Sequence, residues 1–146
     1  MKITAAITGV PEVRRELQRI ASLAREALAR TAVQVEDYIE AEAGKHNRQG
    51  RLVSSIYKRP IAGGWEIGHD PRVAPHAVFV HWGTRPHVIR PKHKKALRWA
   101  GGGAFSFAKR VRHPGYKGDA WMVRAAGRAP HIFEQHVRAL LASKGD

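Results

Sequence analysis

Cysteine is absent from all 146 residues, so no disulfide framework and no thiolate metal site holds this chain, and nothing in it calls for an oxidising compartment. Synthesis in the cytoplasm fits. Long apolar runs are missing too: none approaches the roughly 18 residues of a membrane span, and the N-terminal MKITAAITGV lacks the apolar core of a signal peptide. No internal repeat or low-complexity tract is visible. The third shortage is of acid. From Pro71 to Gly118 there is no Asp or Glu, while Lys and Arg number eleven: Arg72, Arg85, Arg90, Lys92, Lys94, Lys95, Arg98, Lys109, Arg110, Arg112 and Lys117. Over the whole chain 26 Lys and Arg oppose 12 Asp and Glu, a formal charge of +14. Cations at this density gain by displacing counterions from an anionic partner, either nucleic acid or an acidic protein surface.

Catalytic constellations are equally scarce. The nine histidines give no metal-binding spacing: His76 and His81, like His131 and His136, are five apart, which misses the i, i+4 pairing of a helical metal site. His87, His93 and His113 are scattered through loops. Only Asp70 and Asp119 bound the basic region, too few carboxylates for a two-metal nuclease site, and no phosphate-binding glycine loop precedes a helix. The expectation is therefore a non-enzyme with no catalytic residue, cofactor or metal, its histidines being loop and surface groups.

At this length one domain is expected, residues 1–146, divided into an arm or strand (1–10), a long helix (11–44), a sheet with a basic hairpin (50–123) and a C-terminal helix (124–143). Residues 2–8 are rich in β-branched side chains. Pro11 suits the first turn of a helix, and from Val13 the apolar positions Leu17, Ile20, Ala24, Ala27, Leu28, Val35, Tyr38 and Ile39 form one stripe that Gly44 ends. This helix carries seven of the twelve acids. They read as a solvated face with intrahelical pairs such as Glu26 with Arg30, or as an acidic face that docks a basic segment of a neighbouring copy.

Ile56 to Ile61 and Trp65 to Gly68 flank Ala62-Gly63-Gly64 as a hairpin. Leu97 and Trp99 alternate with charges before Gly101, Gly102 and Gly103, while Phe105, Phe107 and Val111 share a parity after them, predicting a second, strongly basic hairpin with a glycine tip. The shared parity assigns these aromatics to a covered face. The competing expectation is that aromatics interleaved with Arg98 and with Lys109 to Arg112 stack bases and hold phosphates. His113 to Gly118 reads as a loop, Trp121, Met122 and Val123 as core anchors, and Pro130 as the start or a kink of the last helix. The fold class predicted is α+β: both helices packed on a small, mainly antiparallel sheet, with Leu17, Ile20, Leu28, Val35, Phe79, Val80, Trp121, Phe133 and Val137 in the core.

The segment between framework and basic surface is Pro75 to Pro91, PHAVFVHWGTRPHVIRP. Its apolar run reads as a buried strand, with a two-turn helix bracketed by Pro75 and Gly83 as the alternative. The run Ala77 to Thr84, then His87 to Lys92, Lys95 to Trp99, and Pro114-Gly115 before an aromatic, resembles the neck or tail-completion family of long-tailed bacteriophages, the minor tail proteins similar to protein Z of phage lambda. The likeness spans about residues 50 to 125 and rests on the order and spacing of these four motifs, with Gly83, Thr84, Pro114 and Gly115 as motif positions. This chain departs from the pattern in having His81 where the family has Glu, and Ala120-Trp121-Met122 where it has Pro-Phe-Leu. The resemblance implies a structural protein of the virion head–tail junction, present in the host cytoplasm before assembly. It also implies a homo-oligomeric ring, sixfold in the virion, with other neck and tail proteins as partners. Non-specific contact with packaged DNA is possible in such a place, and a membrane is not involved. The contact residues expected are Arg85, Arg90, Lys92, Lys94, Lys95, Arg98, Lys109, Arg110, Arg112 and Lys117, with the Gly101 to Gly103 tip.

Overall fold

The computed structural model describes residues 9–46, 49–101 and 103–143. The strand or arm expected at residues 2–8, the tip glycine Gly102 and Gly145 after the last helix lie outside the described residues. In chain order the elements are α1 (Val10–Gly44), α2 (Arg51–Ser54), β1 (Ile56–Ile61), β2 (Gly64–His69), α3 (Ala77–Trp82), β3 (Gly83–Thr84), β4 (His87–Ile89), β5 (Leu97–Gly101), β6 (Ala104–Ala108), β7 (Val111–His113), β8 (Tyr116–Lys117) and α4 (Trp121–Ser143). The α+β class stands. The strands form four separate two-stranded antiparallel ladders in place of one small sheet: β1–β2, β3–β8, β4–β7 and β5–β6.

Helix α1 begins where Gly9, at φ 83°, turns the chain into a Pro-primed first turn. Its buried face is Leu23, Ala27, Ala32, Val35, Ile39 and Ala43, a stripe in steps of three to five that lies against α4. Leu23 and Ala27 meet Leu140, whereas Val35, Ile39 and Ala43 cluster with Trp121, Ala125 and Ile132. The two helices therefore run antiparallel, and this interface is the main core. Ile39 and Leu52, each 1% exposed, contribute about 1.5–3 kcal/mol apiece on burial. The β1–β2 hairpin is joined to α1 by a Lys58–Glu36 ion pair and by Ile56 and Ile67 packed on the core. Intrahelical pairing on α1 is present, Glu26 with Arg30 at 2.7 Å. Among the described residues no helix is long and apolar enough to cross a membrane.

Several core assignments are corrected. Leu17 and Ile20 are exposed, because α4 reaches only as far as Leu23 and leaves the first turns of α1 uncovered. Val35 and Trp121 are buried, Leu28 is half-buried, and Phe133, Val137 and Val80 are partly buried against the core clusters. The apolar run at 77–82 is helix α3 and not a strand. Its Ala77 and His81, one turn apart, face inward, while Val78, Phe79 and Trp82 face out. Val123 is exposed on α4, and Pro130 lies inside that helix, the second of its two expected placements.

Candidate functional site

The stretch from Gly83 to Gly118 leaves the body and returns as one antiparallel arm. At its root β3 pairs with β8, Gly83 opposite Lys117 and Thr84 opposite Tyr116, and β4 then pairs with β7, His87 opposite His113 and Ile89 opposite Val111. Segments some thirty residues apart in sequence are thus neighbours, and the motif positions Gly83, Thr84, Pro114 and Gly115 are gathered at the root. The part read as a loop, His113 to Gly118, holds the last residue of β7 and the whole of β8.

Glycine is required there. Gly83 sits at φ 82°, ψ −177°, a region essentially reserved for glycine, and a Cβ on it would overlap the Tyr116 carbonyl and the Gly118 nitrogen. Gly115, at φ 88°, is packed against the Thr84 carbonyl in the same way. Gly103, at φ 86° on the tip, has open space around it. Gly83→Ala is accordingly expected to cost at least about 3 kcal/mol in chemical denaturation, against about 1 kcal/mol for Gly103→Ala. Equal costs at the two positions would contradict the close packing of the root.

Beyond the root, residues 90–96 link β4 to β5 on the outgoing side, and Lys109 and Arg110 alone link β6 to β7 on the return. Both links lie between the same two ladders, so Arg90, Lys92, Lys94 and Lys95 share a waist with Lys109 and Arg110. Gly101 and Gly103 lie at the far end of β5–β6, away from this waist. All ten expected contact cations are exposed, and none forms an ion pair with an acid among the described residues. The body differs: Arg15, Arg19, Arg30, Lys58, Arg59, Arg124 and Arg138 each meet a carboxylate.

The outer ladder is not covered as its parity suggested. Directly paired residues share a face, so Arg98, Phe107 and Phe105 lie on one side and Leu97 and Trp99 on the other. Phe105 is 57%, Phe107 65% and Trp99 44% exposed, and the Arg98 guanidinium stands 4.2 Å from the Phe105 ring centre. An isolated two-stranded ribbon is marginally stable, and one with exposed aromatics on both faces is suited to ordering against a partner.

Where the chain returns from the arm to the body, α4 begins on a buried indole. Trp121, fully buried at the start of α4, is stacked on His46 and met edge-on by His69 and His81 at 5.6, 5.7 and 5.0 Å between ring centres. The Ser55 hydroxyl donates to the Leu52 carbonyl and so accepts from His69 Nδ1–H at 2.8 Å, which leaves His69 Nε2 to accept from the Trp121 indole N–H at 3.2 Å. His81 Nε2 accepts from the Met122 backbone N–H at 3.1 Å. His46 Nε2 lies 2.8 Å from Asp119 Oδ2, and Arg124 clamps the same carboxylate and Glu42. His81 is therefore a buried structural group and not a surface histidine. The sequence offered no signal for this cluster, because its members are separate in the chain and fit no spacing pattern. Among the described residues no group of three or more His, Asp or Glu is placed to hold a metal ion.

Burial pushes the imidazoles of His69 and His81 below the usual histidine range, and the Arg124 hydrogen bond, then that of His46, holds Asp119 down to about 2. The unfolded chain therefore binds more protons than the folded one as pH falls below about 6.5, and the stability carried by the two neutral rings is lost there. That of Asp119 is lost only below about pH 4. Melting in about 0.5 M salt, which screens the general cation repulsion, should show a lower Tm at pH 5 than at pH 7.5. A flat profile would contradict the assigned hydrogen bonds.

Comparison with protein-family models, with curated proteins and with solved structures gives no match. The functional reading accordingly rests on the arm and its root.

Proposed function

We propose that this chain is a non-enzymatic structural protein of the head–tail junction of a long-tailed bacteriophage, acting in tail completion or head–tail joining as one subunit of a ring. What carries the proposal is the convergence of the resembling motifs. Gly83-Thr84 and Pro114-Gly115 come together to hold a projecting arm whose ten cations find no acid within the described chain. Such an arm repels itself until an anionic surface meets it. Adjacent neck and tail proteins supply that surface, with non-specific contact to packaged DNA as a lesser element, since a channel that grips DNA tightly hinders its passage. The ring is sixfold in the virion, and each contact is weak enough for the isolated protein to remain a monomer in salt.

A second reading, a basic DNA-binding protein without enzymatic activity, is favoured by one observation, the exposed aromatics on both faces of β5–β6 beside Arg98. Deleting the gene from the phage or prophage separates the two. Micrographs of the lysate are expected to show filled heads and finished tails that are not joined, with replication and transcription unchanged. Intact particles with altered gene expression would replace the proposal by the DNA-binding one.

A further inference from the structure

A groove of about 690 Å³ lies between the end of α1, α2 and the root of the arm. Leu52, Val80 and Ile89 give it apolar walls; among the described residues its charged lining residues are Lys45, which pairs with Glu42, and Arg51, and no acid lines it. Thr84, whose buried hydroxyl oxygen has no hydrogen-bond partner, is among the lining residues. Concavity, apolar walls and positive charge together fit a convex, partly apolar, acidic element.

The chain itself carries one. Of the eleven described acids, nine form an ion pair: Glu12, Glu16, Glu26, Glu36, Glu42, Glu66, Asp70, Asp119 and Glu134. The two that do not are Asp37 and Glu40. They are exposed one turn apart on α1, and Val33, 48% exposed, lies one turn before Asp37 on the same face. Two carboxylates cannot neutralise the ten cations of the arm, but they suit Arg51, which has no acid partner among the described residues, and the neighbouring Lys45, which shares Glu42. At a net charge of +14, Asp37 and Glu40 are the described acids left without a cation of their own chain.

We infer that the Val33–Asp37–Glu40 face of α1 in one copy seats in the groove at the arm root of the next. The two patches differ, so the contact is heterologous and propagates around a ring instead of closing a dimer. It rests on the proposed ring and names its interface. It also leaves the arm free for a different partner.

The absence of native cysteine allows a direct test on the full chain. Ala41→Cys lies beside Glu40, and Gln49→Cys lines the groove, so neither removes a charge that the contact needs. The two single variants are mixed, oxidised at low salt and resolved by mass spectrometry. Mixed Ala41→Cys/Gln49→Cys dimers are expected well in excess of random pairing, falling about fivefold when the Gln49→Cys partner also carries Arg51→Glu. Adding Glu40→Lys to the other partner should restore them. Random pairing, a dominant Ala41→Cys homodimer, or mixed dimers indifferent to Arg51→Glu would each overturn the inference. None of these results bears on whether deletion leaves heads and tails unjoined, so the interface and the function fail separately.

Discussion

A phage whose copy of this chain carries Lys92→Gln, Lys94→Gln, Lys95→Gln, Lys109→Gln and Arg110→Gln together is expected to form no plaques, while the purified variant melts no lower than the parent. The five side chains stand at the waist of the arm, exposed and without an acid partner among the described residues. Removing them deletes no internal contact and relieves repulsion among like charges, so stability is unchanged or slightly raised. The loss falls on the contact with an anionic partner, where each cation contributes through complementarity and encounter rate. Arg14→Gln with Arg25→Gln, exposed cations on α1, makes a charge control expected to leave infectivity intact. Wild-type plaque counts from the fivefold variant would mean that the cations of the arm are incidental.

Trp121→Ala should be the most damaging single change to the fold. The side chain is fully buried where α1, α3 and α4 converge, and truncating a core Trp costs about 3–5 kcal/mol. The loss is larger in context, because His69 Nε2 is left without its donor and three imidazoles lose the ring they pack on. A domain of this size has a stability on the order of 5–15 kcal/mol, so the variant is expected to lose a large share of it and to melt far below the parent. Trp121→Phe, which keeps one aromatic ring but loses the N–H and part of the buried volume, should cost less, about 1–3 kcal/mol. An Ala variant within about 1 kcal/mol of the parent in urea titration would show that the indole is not the anchor of the core.

Much of the framework was legible because it depends on local rules. Pro11 and Gly44 bracket α1, and Ala62-Gly63 turns the first hairpin between β1 and β2. Periodicity along α1 was equally plain, yet it could not say how far the stripe is covered, since that depends on where α4 ends. At α3 the Val and Phe density points to a strand while Pro75 and Gly83 bracket a helix, and the helix forms with three of its apolar residues facing solvent. Phe105 and Phe107 do share a face, but parity identifies a common side and not whether anything covers it. The ten exposed cations of the arm were readable from the absence of acid. Their gathering at one waist was not, because it follows from long-range pairing of β4 with β7 and β5 with β6. The histidine cluster around Trp121 likewise exists only in three dimensions.

Quantitative mass spectrometry of infectious particles, purified free of host DNA, tests the central claim most directly. A ring subunit of the head–tail junction should be present at a fixed ratio to the tail proteins, on the order of six copies per particle. Infectious particles in which this chain is undetectable, with the protein recovered instead on host or phage DNA in the lysate, would contradict it.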